Sequence, residues 1–149
     1  MKPILLDSGP LIALFDSDDR YHDESVSFIK LNRGPLVTTI ANITEAVYVL
    51  DFSKLAQSAL LRWLSNSSIL IEEIGTENLE EIADLFEKYS DVPMDFADAC
   101  IVYACEKHGT NEIASVDSDF EIYRLKGRKP FRNLLLTETK KKPANKRCS

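Results

Sequence analysis

The chain has 149 residues, of which 44% are apolar and 28% are charged, and its formal net charge is −6 at pH 7. This length and composition suit one compact domain with a sizeable core. No apolar run approaches the roughly 18 residues that a membrane helix needs, and the first residues, MKPILLD, are too short and too soon acidic for a signal peptide. We therefore expect a cytoplasmic protein rather than a membrane or secreted one.

Short apolar strands alternate with helices along the chain. Apolar and β-branched runs predict strands, helical spacing of apolar residues predicts helices, and Pro and Gly mark the breaks between them. The predicted strands are at 3–6, 35–40, 67–74, 112–116 and 131–136. The predicted helices are one with Pro10 in its first turn, those at 22–32, 41–50 and 54–65, one from Thr76, and one at 95–109. This alternation predicts an α/β fold, in which helices cover both faces of a parallel sheet.

The cysteines and histidines do not suggest a disulfide framework or a zinc centre. Cys100 and Cys105 fall in an apolar helical stretch and are predicted to be small core residues, and Cys148 is the odd third cysteine. His22 and His108 lie far apart in the sequence, and no CxxC spacing is present.

Charge is distributed unevenly. Residues 124–149 contain ten Lys or Arg and one acid, a net charge of +9, whereas the preceding 123 residues have a net charge of −15. We predict a folded domain over residues 1–137 and a basic, disordered tail over residues 138–149, because a charged run without apolar residues cannot build a core. The alternative is that this basic stretch is a positively charged segment that binds nucleic acid.

Four acidic residues stand where predicted strands end or predicted helices begin. Asp7 follows the first strand and Asp117 follows the fourth, whereas Glu45 and Asp98 lie early in helices. In an open α/β sheet, the loops at the carboxyl ends of the strands meet along one edge, where ligands bind. We therefore expect these four side chains to converge.

Each of these acids also has a local structural explanation. The segment 42–45, NITE, fits a capping box, acids 95 and 98 suit the first turn of a helix, and Asp7 and Asp117 could form Asx turns. Taken together these explanations are less convincing, because several buried carboxylates repel one another unless a cation is present. No Lys or Arg is close in sequence, so we predict Mg²⁺ or Mn²⁺, which prefer carboxylate oxygens and activate bound water for attack on phosphorus.

The segments that carry the four acids resemble a known family. ILLDSGPLIALF, TTIANITEAVYVL, PMDFADACIVYACE and SVDSDFEIYR, in this order, are similar to PIN-domain proteins, and most of all to the small ribonucleases of VapC-type toxin–antitoxin pairs. The resemblance covers residues 3 to about 136. It implies a three-layer α/β/α sandwich with a short parallel sheet, and Mg²⁺- or Mn²⁺-dependent hydrolysis of RNA.

The resemblance also implies roles for individual residues. The catalytic, metal-binding acids are Asp7, Glu45, Asp98 and Asp117. The residues that support them are Ser8, Thr39, Asp95 and Asp119. The candidates for RNA binding, for which solvated loop charge is an equal alternative, are Arg124, Lys126, Arg128 and Lys129. The implied partners are single-stranded or structured RNA, a small antitoxin protein and, in a homodimer, a second copy of the chain.

Other functions fit the sequence less well. A haloacid-dehalogenase-like phosphotransferase needs a second Asp two residues after the first, where this chain has Gly9. A response-regulator receiver needs a phosphoacceptor Asp after a middle strand and a Lys late in the chain in a matching context, and this makes it a still weaker alternative. A non-catalytic PIN-like module that binds RNA or regulates a partner is the remaining alternative, and the four intact acids argue against it.

Overall fold

A computed structural model describes residues 1–136 of the chain. The strands are β1 (Ile4–Leu6), β2 (Leu36–Thr39), β3 (Leu70–Glu72), β4 (Glu112–Ala114) and β5 (Arg132–Asn133). They form one sheet in the order β3-β2-β1-β4-β5, and every neighbouring pair is parallel. The predicted tail at 138–149, and Cys148 within it, lie outside the described residues.

The predicted helices are present with small shifts of their ends. They are α1 (Ser8–Leu14), α2 (His22–Leu31), α3 (Ile40–Val49), α4 (Lys54–Ser65), α5 (Leu79–Lys88) and α6 (Phe96–His108). The helix expected from Thr76 begins with a single 3₁₀ turn that leads into α5. None of the described helices is long and apolar enough to span a membrane.

Helices cover both faces of the sheet, as the alternation predicts. Successive side chains of a strand point to opposite faces, so Leu5 packs on one side of β1 while Ile4 and Leu6 pack on the other. On the first side, α5 and α6 close a core that includes Tyr123. On the second side, α1, α3 and α4 close another core. The predicted three-layer α/β/α sandwich is therefore confirmed.

Helix α6 is the most deeply buried helix of the described chain. All residues from 97 to 105 are buried, including Cys100 and Cys105, which confirms their prediction as core residues. The helix ends at Gly109, whose φ of 65° is the left-handed conformation that glycine adopts without strain. Because α6 is enclosed along most of its length, an ionisable side chain in its first turn is also withdrawn from water.

The predicted strand at 67–74 is shorter than expected. Only Leu70–Glu72 pairs with β2. The Ser67 hydroxyl donates to the backbone carbonyl of Leu64 and accepts from the backbone N–H of Ile69, which holds the preceding residues in a turn. Local hydrogen bonding by a serine therefore delays the start of the strand.

The predicted strand at 131–136 is also wrong in its length, since β5 contains only two residues. The side-chain carbonyl of Asn133 accepts from the backbone N–H groups of Leu135 and Leu136. These bonds turn the chain immediately after β5. An apolar run alone does not reveal such a turn, because the Asn that makes it lies inside the run.

An ion cluster around the buried Glu72 carboxylate fastens the edge strand β3 to the end of α6. The Glu72 carboxylate accepts from Lys107 Nζ over 2.5 Å and contacts His108 Nε2 over 2.7 Å. Burial raises the pKa of Glu72, but the hydrogen bonds and charges of Lys107 and His108 outweigh it and leave that pKa below its ordinary value. Glu72 therefore contributes stability above its ordinary pKa, and this contribution is lost as the pH falls through the lowered value.

Glu72→Gln is expected to reduce the free energy of unfolding by about 1–2 kcal/mol at pH 7, since the buried side chain no longer offers Lys107 and His108 a charged acceptor. The difference should shrink towards pH 3. Urea unfolding at both pH values measures it. The matched control is Glu112→Gln, which breaks the more exposed pair with Arg132 and should cost less than about 0.5 kcal/mol. Equal costs for the two variants would contradict the prediction.

Candidate active site

Asp7 lies at the junction of β1 and α1. Its side chain is only 4% exposed. Its Oδ1 accepts from the side-chain amide of Asn42 over 2.9 Å, and its Oδ2 accepts from the Ser115 hydroxyl over 2.7 Å. Neutral donors from α3 and from the chain after β4 therefore hold this carboxylate in one orientation.

Gly9 lets the first turn of α1 approach the segment that follows β4. A Cβ atom built on Gly9 would clash with the Val116 side chain, so a residue without a side chain is needed here. This approach brings Asp7 next to Ser115 and Asp117. The same packing leaves no room for the second Asp that a haloacid-dehalogenase-like site would require.

Asp98 lies in the first turn of α6 and is 6% exposed. It forms a capping box with Asp95, in which the Asp95 carboxylate accepts from the Asp98 backbone N–H over 2.8 Å. The hydroxyl of Tyr123 donates to Asp98 Oδ2 over 3.2 Å. Tyr123 is fully buried, with its ring edge-on to Tyr89 and Phe120. Asp98 therefore completes the capping box of α6, whose N-cap is Asp95, and is also held by the Tyr123 hydroxyl.

Asp117 and Glu45 are half-buried and complete the set of predicted acids. Asp117 makes the predicted Asx turn, since its Oδ1 accepts from the Asp119 backbone N–H over 2.8 Å. Its own backbone N–H donates to Ser115 Oγ over 2.9 Å. Glu45, on α3, lines a surface depression together with Tyr48 and Asp95. Two of the four acids are thus buried, and two face partly towards solvent.

The expected capping box in segment 42–45 is wrong. The helix begins earlier, and its cap is Thr39, whose hydroxyl accepts from the Asn42 backbone N–H over 3.2 Å. Asn42 is inside the helix, and its side chain reaches Asp7 instead. Glu45 therefore lies in the second turn of α3, without the capping role that the sequence suggested.

The carboxylates are close enough to perturb one another. Burial raises the pKa of Asp7 to about 7; the Ser115 hydrogen bond lowers it in part, and the charges of Asp117 and Glu45 raise it further. Burial also raises the pKa of Asp98 to about 8, with further increases from the charges of Asp7, Asp95 and Asp117. Burial raises the pKa of Asp117 as well. The structure thus brings the predicted acids into one electrostatically coupled cluster.

The donor set of this cluster fits a hydrated hard cation. None of the ion pairs formed between described residues includes any of the four acids, so no protein cation among them neutralises the cluster. No three Asp, Glu, His or Cys side chains of the described chain are arranged as a complete metal site. Mg²⁺ and Mn²⁺ keep several water ligands and need only one or two direct carboxylates, so Asp7 and Asp98 could hold such an ion, with the other acids acting through water.

Comparison with known proteins places this cluster in context. The model of the PIN domain matches residues 4–126, which include all four acids. The chain belongs to the PIN-domain family. Among solved structures, the PIN domain is similar to VapC20 of Mycobacterium tuberculosis, described as a toxin that cleaves the sarcin–ricin loop. The TM-score is 0.75 at 17% sequence identity, over 80% of this chain and 93% of that one. No curated protein matches the sequence.

The predicted supporting residues of this PIN domain lie around the acids in different ways. Ser8 and Thr39 both contact Asn42, which joins them to Asp7. Asp95 caps α6, and the Asp119 backbone closes the turn at the fourth acid. Sequence reasoning missed three residues that bond directly to the acids, namely Asn42, Ser115 and Tyr123. The only available signal was their short distance in sequence from Glu45 or Asp117.

The basic candidates of the PIN domain lie on a separate loop. The Arg124 guanidinium donates to the backbone carbonyls of Glu121 and Tyr123, which closes its own turn. The Lys126 backbone N–H donates to the Glu106 carboxylate. Lys126, Arg128 and Lys129 are exposed. The hydrogen bonds of Arg124 and Lys126 hold the loop together, and the other basic side chains face solvent. The role of these residues in RNA binding stays a prediction.

Proposed function

We propose that this PIN-domain protein is an Mg²⁺- or Mn²⁺-dependent endoribonuclease, and that it is the toxin of a VapC-type toxin–antitoxin pair. The observation that carries the proposal is the clustering of four acids from four different elements, without a neutralising protein cation among the described residues. Family membership supports a nuclease. The fold likeness to VapC20, described as a toxin that cleaves the sarcin–ricin loop, supports the choice of RNA and of a toxin.

The proposed roles follow from how each acid is held. Asp7 and Asp98, which are buried and oriented by hydrogen bonds, would hold the metal ion. The ion would supply an activated water and would stabilise negative charge on the scissile phosphate. Glu45 and Asp117, which are half-buried, would orient that water through hydrogen bonds. Attack by water with the 3′ oxygen as the leaving group would leave a 5′-phosphate and a 3′-hydroxyl.

A surface depression beside Glu45 is the proposed path of the RNA. Its volume is about 560 Å³, and Glu45 and Asp95 line it together with the exposed side chains of Ile40, Tyr48 and Phe96. Exposed aromatic rings stack on unpaired bases, and this contact does not depend on charge. Because the body of the protein is acidic, we propose that stacking and the metal ion, rather than a basic groove, hold the substrate.

The proposed activity also implies partners and a location. An active ribonuclease in the cytoplasm, where its RNA substrate lies, would need a small antitoxin protein to restrain it. We also propose that the chain forms a homodimer. Size measurement by light scattering, with and without the product of an adjacent small gene, would test both associations.

A non-catalytic PIN-like module that binds RNA or regulates a partner is the alternative function. It is favoured by one observation, namely that no group of three ligating side chains is preassembled in the described chain. Such a module would bind RNA and leave it uncut, whereas the proposed enzyme would cut it.

The test is incubation of the purified protein with 5′-labelled RNA, both single-stranded and in a stem-loop. We expect cleavage with Mg²⁺ or Mn²⁺, none with EDTA, and recovery when excess metal is restored. The products should carry 5′-phosphates. Cyclic 2′,3′-phosphates, or cleavage that persists in EDTA, would identify a contaminating metal-independent ribonuclease. Binding without cleavage of either substrate at any metal concentration would support the alternative module.

A further inference from the structure

The Asn42 side chain links three residues of the candidate site by hydrogen bonds. It is fully buried in α3, where an unpaired amide would be costly. Its Nδ2 donates to Asp7 Oδ1 and to Ser8 Oγ, each over 2.9 Å, and its Oδ1 accepts from the Thr39 hydroxyl over 2.5 Å. Both ends of the amide therefore have partners.

The direction of this amide is determined by its neighbours. The Thr39 oxygen accepts from the Asn42 backbone N–H, so the one Thr39 hydrogen is directed to Asn42 Oδ1. A carboxylate is an acceptor only, so the amide NH₂ must face Asp7. The opposite orientation would set the amide oxygen of Asn42 against Asp7 Oδ1 and would leave the Thr39 hydrogen without its acceptor on the amide.

Asn42 thereby fixes one oxygen of Asp7, and Ser115 fixes the other. The two residues follow β2 and β4, the strands on either side of β1. A carboxylate held at both oxygens cannot rotate about its terminal bond without breaking one of these contacts. In metal sites, groups that orient a ligand in this way change metal affinity or activity by about 10–100-fold when they are removed.

We propose that Asn42 is the positioning residue of Asp7, whose carboxylate it holds in the orientation that binds the metal ion. This inference rests on the proposed function for the identity of the bound group. The contact itself is independent of that function, so it can be tested separately.

The first experiment measures Mn²⁺ binding without RNA, from the electron paramagnetic resonance signal of free Mn²⁺. Asn42→Leu keeps the size of the side chain and removes its donors, and Asn42→Ser provides a hydroxyl too short to reach Asp7. We expect either variant to weaken Mn²⁺ binding by about tenfold. The matched control is Thr38→Val, which removes a buried hydroxyl bonded to the Leu6 carbonyl and should change the affinity by less than about twofold.

The second experiment measures urea unfolding in EDTA, where no metal contributes. Asn42→Leu should raise the unfolding equilibrium constant by about tenfold or more in the parent, because it removes a donor to a buried charge. The increase should be clearly smaller in an Asp7→Asn background. Equal increases in both backgrounds would overturn the positioning role, as would folded Asn42 variants that bind Mn²⁺ like the parent.

The two experiments separate the two proposals. If the parent itself binds no Mn²⁺, the proposed metal-dependent function fails, and the coupling between Asn42 and Asp7 in EDTA still decides whether Asn42 orients that carboxylate. If Thr38→Val weakens Mn²⁺ binding as much as the Asn42 variants do, the effect is general loosening of the sheet edge, and the positioning role is wrong.

Discussion

Asp7→Asn is expected to lower metal-dependent RNA cleavage by at least about a thousandfold and to leave the protein folded. The amide has the shape of the carboxylate but no charge to hold a metal ion. Its oxygen can still accept from Asn42, and its NH₂ can donate to Ser115 Oγ, so the local packing is preserved. The loss of activity would then come from chemistry rather than from unfolding.

The measurement is the initial rate of cleavage of labelled RNA at saturating Mg²⁺, with circular dichroism as the test of folding. Asp18→Asn, at an exposed position after α1, is the matched control and should retain the parent rate. Full activity of Asp7→Asn would show that the metal is held elsewhere. An unfolded Asp7→Asn would instead assign a structural role to the carboxylate.

Asp98→Asn is expected to stabilise the metal-free protein by about 1–3 kcal/mol at pH 8, which corresponds to roughly 5 °C in Tm. Burial and the neighbouring acids raise the pKa of Asp98 to about 8 from its ordinary value of 3.8. In the folded protein this carboxyl therefore resists ionisation, and its charge opposes folding once the pH is high enough. The neutral amide removes that cost, at the expense of activity.

The pH dependence has a defined sign. Since the folded pKa is higher than the unfolded one, the folded state binds the proton more tightly, and the stability of the parent in EDTA falls as the pH rises from about 4 through about 8. Asp98→Asn lacks this contribution. The stability difference between the two proteins should therefore be small near pH 4 and should grow up to about pH 8.

Thermal unfolding in EDTA at several pH values measures this difference. With excess Mn²⁺ the order should reverse, because a ligand that binds only the folded parent stabilises it, whereas the variant has lost part of the site. A variant that is less stable than the parent at pH 8 in EDTA would contradict the prediction. It would show that the contacts of Asp98 with Asp95 and Tyr123 outweigh the cost of its charge.

Much of the fold could be predicted from local sequence patterns. The alternation of apolar strands with helices sufficed for the α/β/α sandwich, and the long apolar stretch at 95–109 sufficed for the buried helix α6. The strands at 67–74 and 131–136 were predicted too long, because Ser67 and Asn133 make local side-chain bonds that end pairing. Periodicity reports which residues are apolar, not where a polar side chain turns the backbone.

The sequence predicts that the acids of the candidate site converge, but it does not predict which side chains form hydrogen bonds with them. Asp7 and Asp117 follow strands of a parallel sheet, so their convergence follows from topology. The sequence predicts Asn42 to be a helix cap and indicates no role for Ser115. Their bonds to Asp7 join residues that are 35 and 108 positions apart in the chain.

By itself, the sequence determined the layers of the fold, the enclosed helix and the four acids, because hydrophobic periodicity and strand ends are local properties of the chain. Only the tertiary structure decided which carboxylates are buried, which neutral donors orient them, and that Glu72 sits in an ion cluster with Lys107 and His108. The direction of a side chain and the pKa of a buried acid depend on neighbours that folding brings from distant positions, and no local pattern encodes those neighbours.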